Sequence, residues 1–192
     1  MDRPRLRLDY YGKHAEDLEE KTMTDTVFER LSDTDLRRVF VPVREESSWQ
    51  AVREYNIETA AVKIRIQIEF IGQEPNWMRP LVAKFGEILS LPPNWDSYGA
   101  SPIDPECAIL ALRLVLSIMK VGIPVPAIVP TNRGRIQIEW HTRGIDLEIE
   151  IASPGRLKLY YENHRTGEEW EKELTSDLTV LAESLTRLMQ QT

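Results

Sequence analysis

The feature that most constrains this chain is a set of three alternating segments in its second half. Ile136, Ile138 and Trp140 share one parity, then Ile145, Leu147, Ile149 and Ile151, then Leu157, Leu159 and Tyr161. A period of two marks a β-strand with one buried and one wet face. The segments are joined by His141-Thr142-Arg143-Gly144 and Ser153-Pro154-Gly155, and the third runs into Asn163-His164-Arg165-Thr166-Gly167. These are turn-forming residues, and connections this short join antiparallel neighbours, so the stretch predicts a β-meander. Glu169 to Leu174 is shorter and more charged, as suits a fourth strand at the sheet edge.

Keeping every apolar residue on one face sets the register. With the first turn at His141–Gly144, Ile138 is expected opposite Leu147, Ile136 opposite Ile149, and Arg135 opposite Glu150. With the second at Ser153–Gly155, Ile149 is expected opposite Leu159, Ile151 opposite Leu157, and Glu150 opposite Lys158. Glu150 then sits in a charge ladder, and Glu139 opposite Asp146 is left as a like-charge pair.

Helical spacing appears upstream. Leu81, Val82, Phe85, Ile88 and Leu89 recur three and four apart, with Pro80 early and Pro92-Pro93 as a stop. A second helix has Asp104 as N-cap, Pro105 at its first position, and Gly122 then Pro124 at its end. Its polar residues Arg113, Ser117 and Lys120 form one narrow stripe, so it is expected to be the most buried element. A closing helix, capped by Thr175 or Ser176, carries Leu178, Leu181, Leu185 and Leu188 on one stripe. Val62 to Phe70 alternates strictly and adds a strand.

The expected fold is therefore α+β: an antiparallel meander of four to five strands packed against two or three helices. Residues 1–58 have few large apolar side chains for their length. They are expected to form a partly ordered N-terminal extension, with the α+β domain over 59–192. Within the extension, Ala15 to Leu31 reads as a charged helix or a segment that orders on a partner. Asp33-Thr34-Asp35 reads as a helix cap, and Val39 to Val43 as a short strand broken at Pro42. The word Arg-Ile-Gln-Ile-Glu occurs at 65–69 and again at 135–139, but the flanks differ, so it marks two half-buried strands and not a repeat.

The chemistry narrows the function classes. A single cysteine, Cys107, excludes an internal disulfide and a cysteine-rich zinc site. The net charge of −7 is spread evenly, with no basic stripe, so direct nucleic-acid binding is not expected. The start has no secretory apolar segment, and the run from Cys107 to Val121 is interrupted by Arg113 and Lys120. A bilayer span needs about 20 apolar residues, so a cytoplasmic protein without membrane association is expected. No phosphate-cradling glycine loop, G-x-S-x-G elbow or H-E-x-x-H is present, and no cofactor is expected.

Two candidate sites remain. The first is the loop Pro92-Pro93-Asn94-Trp95-Asp96-Ser97-Tyr98-Gly99. In it, Trp95 and Tyr98 read as amphipathic anchors and Asp96 as the acceptor of a basic group on a partner. Alternatively, Trp95 covers a core end and Asp96 bonds backbone N–H groups. The second site is the polar face of the meander, where Glu139, Asp146 and Glu148 lie beside His141. Such a set can hold a divalent metal or share acid and base roles, although a charged strand face is also what a solvated sheet presents.

Leu91 to Ala100, with Pro130-Thr131, Gly134 to His141 and Asp146 to Glu150, resembles a family of small bacterial proteins with LPPNWDSYGA and GRIQIEWH-type motifs, over about residues 85–175. That family has no established activity, so the resemblance assigns no functional residue. It suggests the setting of bacterial defence or mobile-element genes. Two function classes follow. One is a non-catalytic interaction module, such as an accessory, antitoxin, immunity or regulatory subunit, binding a protein partner or a second copy of itself. The other is a metal-dependent hydrolase or nuclease using the carboxylate face.

Overall fold

The computed structural model describes residues 6–12, 50–59, 62–71, 73–119, 122–153, 156–174 and 178–190. Among these, eight strands and three helices run in the order β1 (Leu6–Gly12), β2 (Gln50–Glu58), β3 (Val62–Ile71), α1 (Met78–Leu89), α2 (Pro105–Ile118), β4 (Ala127–Pro130), β5 (Ile136–Thr142), β6 (Ile145–Ser153), β7 (Arg156–Asn163), β8 (Glu168–Leu174) and α3 (Thr179–Gln190). All pairings are antiparallel, and the fold is α+β. The elements fall into two compact units, with the change between Ser90 and Leu91.

The first unit holds a three-stranded sheet in the order β1-β3-β2, with α1. Val62 to Phe70 is a strand, as expected, and it is the centre of a sheet separate from the meander, with β1 and β2 on its two edges. Both lie within the expected extension, so the anticipated boundary at residue 59 falls between two hydrogen-bonded strands. Val62, Ile64, Ile66 and Ile68 are buried, as are Met78, Leu81, Phe85 and Ile88 along one side of α1. The helix, cap and strand expected between Ala15 and Val43 lie outside the described residues, as does the Thr175–Ser176 cap.

The second unit is a five-stranded meander, β4-β5-β6-β7-β8, with α2 packed on β5 and β6. The Asp104 side chain accepts from Glu106 N at 2.9 Å and Pro105 opens the helix, as expected. Nine residues of α2 are buried, so it is a core helix. Leu181, Leu185 and Leu188 of α3 are fully buried, and its Arg187 guanidinium lies over the Tyr161 ring on the same side of the sheet as the core. Trp170 of the edge strand stacks on Tyr161 at 5.0 Å.

The register of β6 and β7 is as expected, with Ile149 opposite Leu159 and Glu150 opposite Lys158. That of β5 and β6 differs by two residues: Ile138 faces Ile149, Trp140 faces Leu147, and Gln137 faces Glu150. The reason is the turn. Arg143 and Gly144 both have positive φ, 57° and 74°. They form a two-residue loop of the I′ kind, whose twist suits a hairpin better than the four-residue turn expected. A shift by an even number keeps every side chain on its face, so the buried set is unchanged. What changes is who meets whom on the wet face.

Candidate functional site

The loop after Leu91 is held by its own side chains. Asn94, at φ 63°, takes Gly99 N on its side-chain oxygen at 2.7 Å, while its own N–H donates to Ala100 O at 2.7 Å. Asp96 accepts from Tyr98 N at 2.8 Å and Ala100 N at 3.0 Å. These backbone donors hold its carboxyl below the usual aspartate range. The half-buried Trp95 donates its indole N–H to Ser101 O at 3.2 Å. Asp96 and Trp95 are thus engaged within the loop. Tyr98 points out, 94% exposed.

The same loop docks on the β4–β5 turn. Ser101 N donates to Asn132 O at 2.9 Å and Asp104 N to Gly134 O at 2.8 Å. A Cβ at Gly134 would stand 2.5 Å from Pro102 O, so only glycine allows this approach. The Leu91–Ala100 loop and the segment around Gly134 are therefore packed against each other.

The wet face of the sheet reads as rows across the strands. One row is Gln137, Glu150, Lys158 and Glu173, and there the charges are answered. Arg135 Nη1 meets Glu150 at 3.0 Å and Arg156 Nη2 meets Glu173 at 2.8 Å. The next row is Glu139, Glu148, Tyr160 and Glu171, and the last is His141, Asp146, Glu162 and Glu169. Between β5 and β6 the like-charge pair is therefore Glu139 opposite Glu148, and not Glu139 opposite Asp146 as expected. Asp146 instead faces His141 on one side and Glu162 on the other.

In these last two rows the carboxylates meet histidines. His141 Nδ1 lies 2.9 Å from Asp146 Oδ1, and its Nε2 lies 3.3 Å from Glu139 Oε2. His164, in the β7–β8 turn, places Nε2 at 2.9 Å from Asp146 Oδ2 and Nδ1 at 3.1 Å from Glu162 Oε1. Asp146 is thus held between two imidazoles. Its partial burial pushes its pKa up, but the histidine hydrogen bonds outweigh this and hold it below the ordinary aspartate value. The Asp146 hydrogen bond raises His141 above the ordinary histidine value. Burial and the facing Glu139 raise Glu148, against the opposing pull of His141, 3.9 Å away, and of a hydrogen bond from Gln137. Tyr160 donates to Glu162 at 2.9 Å.

The structure gathers Glu139, His141, Asp146 and Glu148 as anticipated, and adds Glu162 and His164. The sequence contained a signal for the first. With Ile149 opposite Leu159, counting three pairs along places Glu162 opposite Asp146. His164 follows in the next turn, one residue past the strand. Cys107 takes no part: it is buried in α2, and burial with the nearby Asp104 pushes its thiol up to about 12. Among the described residues no helix is long and apolar enough to cross a membrane. Comparison with protein-family models, with curated proteins and with solved structures returns no match.

Proposed function

We propose that the protein is a non-catalytic interaction module that engages a protein partner, or a second copy of itself, through the loop bearing Tyr98. The observation that carries this is a nearly fully exposed tyrosine on a backbone fixed by Asn94 and Asp96. A rigid loop loses little entropy on binding, and tyrosine offers a large apolar surface with a polar tip. Trp95 and Asp96 support this reading as the loop's frame. An accessory or regulatory subunit of a bacterial system is the role such a module suits.

The test is a photo-crosslinking residue at position 98, expressed in the native host. The expected result is an adduct with a distinct protein at position 98, and loss of that same protein from affinity purification when Tyr98→Ala is the bait. Unchanged capture by Tyr98→Ala, with an unchanged melting temperature, would refute the loop as the contact. A second reading, a metal-dependent hydrolase acting from the carboxylate face, is favoured by one observation: Asp146 sits between two histidines. It requires hydrolysis of a phosphodiester or ester that Asp146→Asn abolishes.

A further inference from the structure

We propose that the end of the sheet where the β5–β6 hairpin meets the β7–β8 turn is a proton-operated clasp. Two imidazolium rings, His141 and His164, tie β5, β6 and β7 together there, and the clasp loosens when the rings lose their protons. This rests on neither functional reading above. His141 lies 2.9 Å from Asp146 and 3.3 Å from Glu139, with Glu148 at 3.9 Å. His164 lies 2.9 Å from Asp146 and 3.1 Å from Glu162. Asp146 is shared, so the two rings make one chain of contacts from β5 through β6 to the β7–β8 turn.

The proton count decides whether that chain is whole. An imidazolium donates from both ring nitrogens, whereas a neutral ring has one N–H. Each of these rings has carboxylate oxygens at both of its nitrogens. Protonated, a ring satisfies both sides; neutral, it turns a lone pair on one of them. Both side chains are about half exposed, so their protons exchange directly with solvent. The Asp146 hydrogen bond raises His141 above its ordinary value. Asp146, despite the upward push of its burial, is held below its own by the two histidines. A raised histidine stabilises the fold fully below the unfolded value, and the contribution is lost as pH rises through the folded one. The lowered Asp146 contributes above its unfolded value and is lost as pH falls through its folded one. The clasp is therefore closed from mildly acidic pH up to the His141 titration, and loose above it.

The surroundings leave this work to the histidines. At the other end of the same face, Arg135 pairs with Glu150, Arg156 with Glu173, and Lys158 stands opposite Glu150, all cations that keep their charge through the neutral range. At the clasp, β4 runs from Ala127 to Pro130 and offers His141 no titratable side chain. β8 adds another carboxylate, Glu169, opposite Glu162 and bridged to it by the Tyr160 hydroxyl at 3.2 and 2.9 Å. Of the nearby arginines, Arg143 gives its guanidinium to Leu188 O at 3.0 Å, and the Arg165 side chain lies along Gly144. Without the ring protons, the row His141, Asp146, Glu162 and Glu169 holds three carboxylates and no cation. Like charges opposite each other weaken a sheet. The strain falls on the backbone bond from His164 N to Gly144 O, 2.9 Å long, which joins the turn to the hairpin.

The experiment is an NMR titration of the tag-free full chain from about pH 5 to about pH 9, the range in which histidine changes charge, with thermal unfolding across the same range. The histidine ring protons and the His164 backbone amide are followed. The expected result is a His141 midpoint above the ordinary histidine value, a His164 amide shift with the same midpoint, and a melting temperature that falls as pH rises through it. Asp146→Asn should return the His141 midpoint toward its ordinary value. His141→Gln and His164→Gln in one chain should remove the fall in melting temperature, while His14→Gln, at the chain's third histidine, should keep it. Should the double variant fail to fold, the wild-type titration and Asp146→Asn decide. A His141 midpoint at the ordinary value or unmoved by Asp146→Asn overturns the proposal. So does a melting temperature that holds across the range, or one that falls equally in the double variant.

Discussion

The same five residues, Arg-Ile-Gln-Ile-Glu, lie at 65–69 in β3 and at 135–139 in β5. Both copies bury their isoleucines: Ile66, Ile68, Ile136 and Ile138 are all 3% exposed or less. On the wet side, both glutamines and both arginines reach glutamates of a neighbouring strand. In the first unit, Arg65 and Gln67 both meet Glu54 of β2. In the second, Arg135 meets Glu150 and Gln137 meets Glu148 of β6. Yet Glu54 is exposed and held below its ordinary pKa, by the Gln67 hydrogen bond first, while Glu148 is half-buried and raised. A short word decides which face is buried. Its neighbours decide what the other face can do.

The largest test of this comparison removes the neighbours of one copy. A chain starting at Ala60 lacks both β1 and β2, so β3 has no strand to pair with in its own sheet. We expect its amides to exchange with solvent freely while those of β5 to β7 stay protected. Retained protection in β3 would show that α1 alone organises it. Next, Ile66→Ala and Ile138→Ala should each cost about 2–5 kcal/mol in urea unfolding, the range for truncating a buried side chain. A much smaller cost at one would mean that the two words are not equivalent in burial.

A smaller effect is expected at the turn that sets the β5–β6 register. Gly144→Ala puts a side chain at φ 74° and against the Arg165 side chain at 3.4 Å, and should cost more than about 1 kcal/mol. No change in thermal unfolding would mean that the turn is not of the I′ kind. The smallest effect has opposite signs in the two units. Glu148→Gln removes a charge facing Glu139 and should stabilise the protein by less than about 1 kcal/mol. Glu54→Gln removes the partner of Arg65 and should slightly destabilise it. The same sign at both sites would erase the distinction drawn between the two faces.

Much of the second unit was legible because its physics is local. Asp104, Pro105 and the alternating strands each act on their own neighbourhood, and these elements stand where their residues say, although α2 ends at Ile118, earlier than the expected Gly122. The β5–β6 pairing misled because a two-residue and a four-residue turn leave the same side chains buried, so hydrophobic parity cannot separate them. β4 was missed because Ala127–Pro130 is a four-residue edge between prolines, too short to show a period. β2 was missed because Val52 faces water at 63% exposure, and this blurs the alternation around Tyr55 and Ile57. For the site, the residues on β5 and β6 could be read together from parity. His164 is set by the backbone bond from its turn to Gly144, a long-range contact with no local signature.

The division of labour in the Asn94–Ala100 loop separates shape from surface chemistry. The hydrogen bonds that shape it use the side chains of Asn94, Asp96 and Trp95 but only the backbone of residue 98. Position 98 can therefore take any side chain that keeps its backbone N–H at little cost to folding, so the loop's shape and the chemistry at its tip are set by different residues.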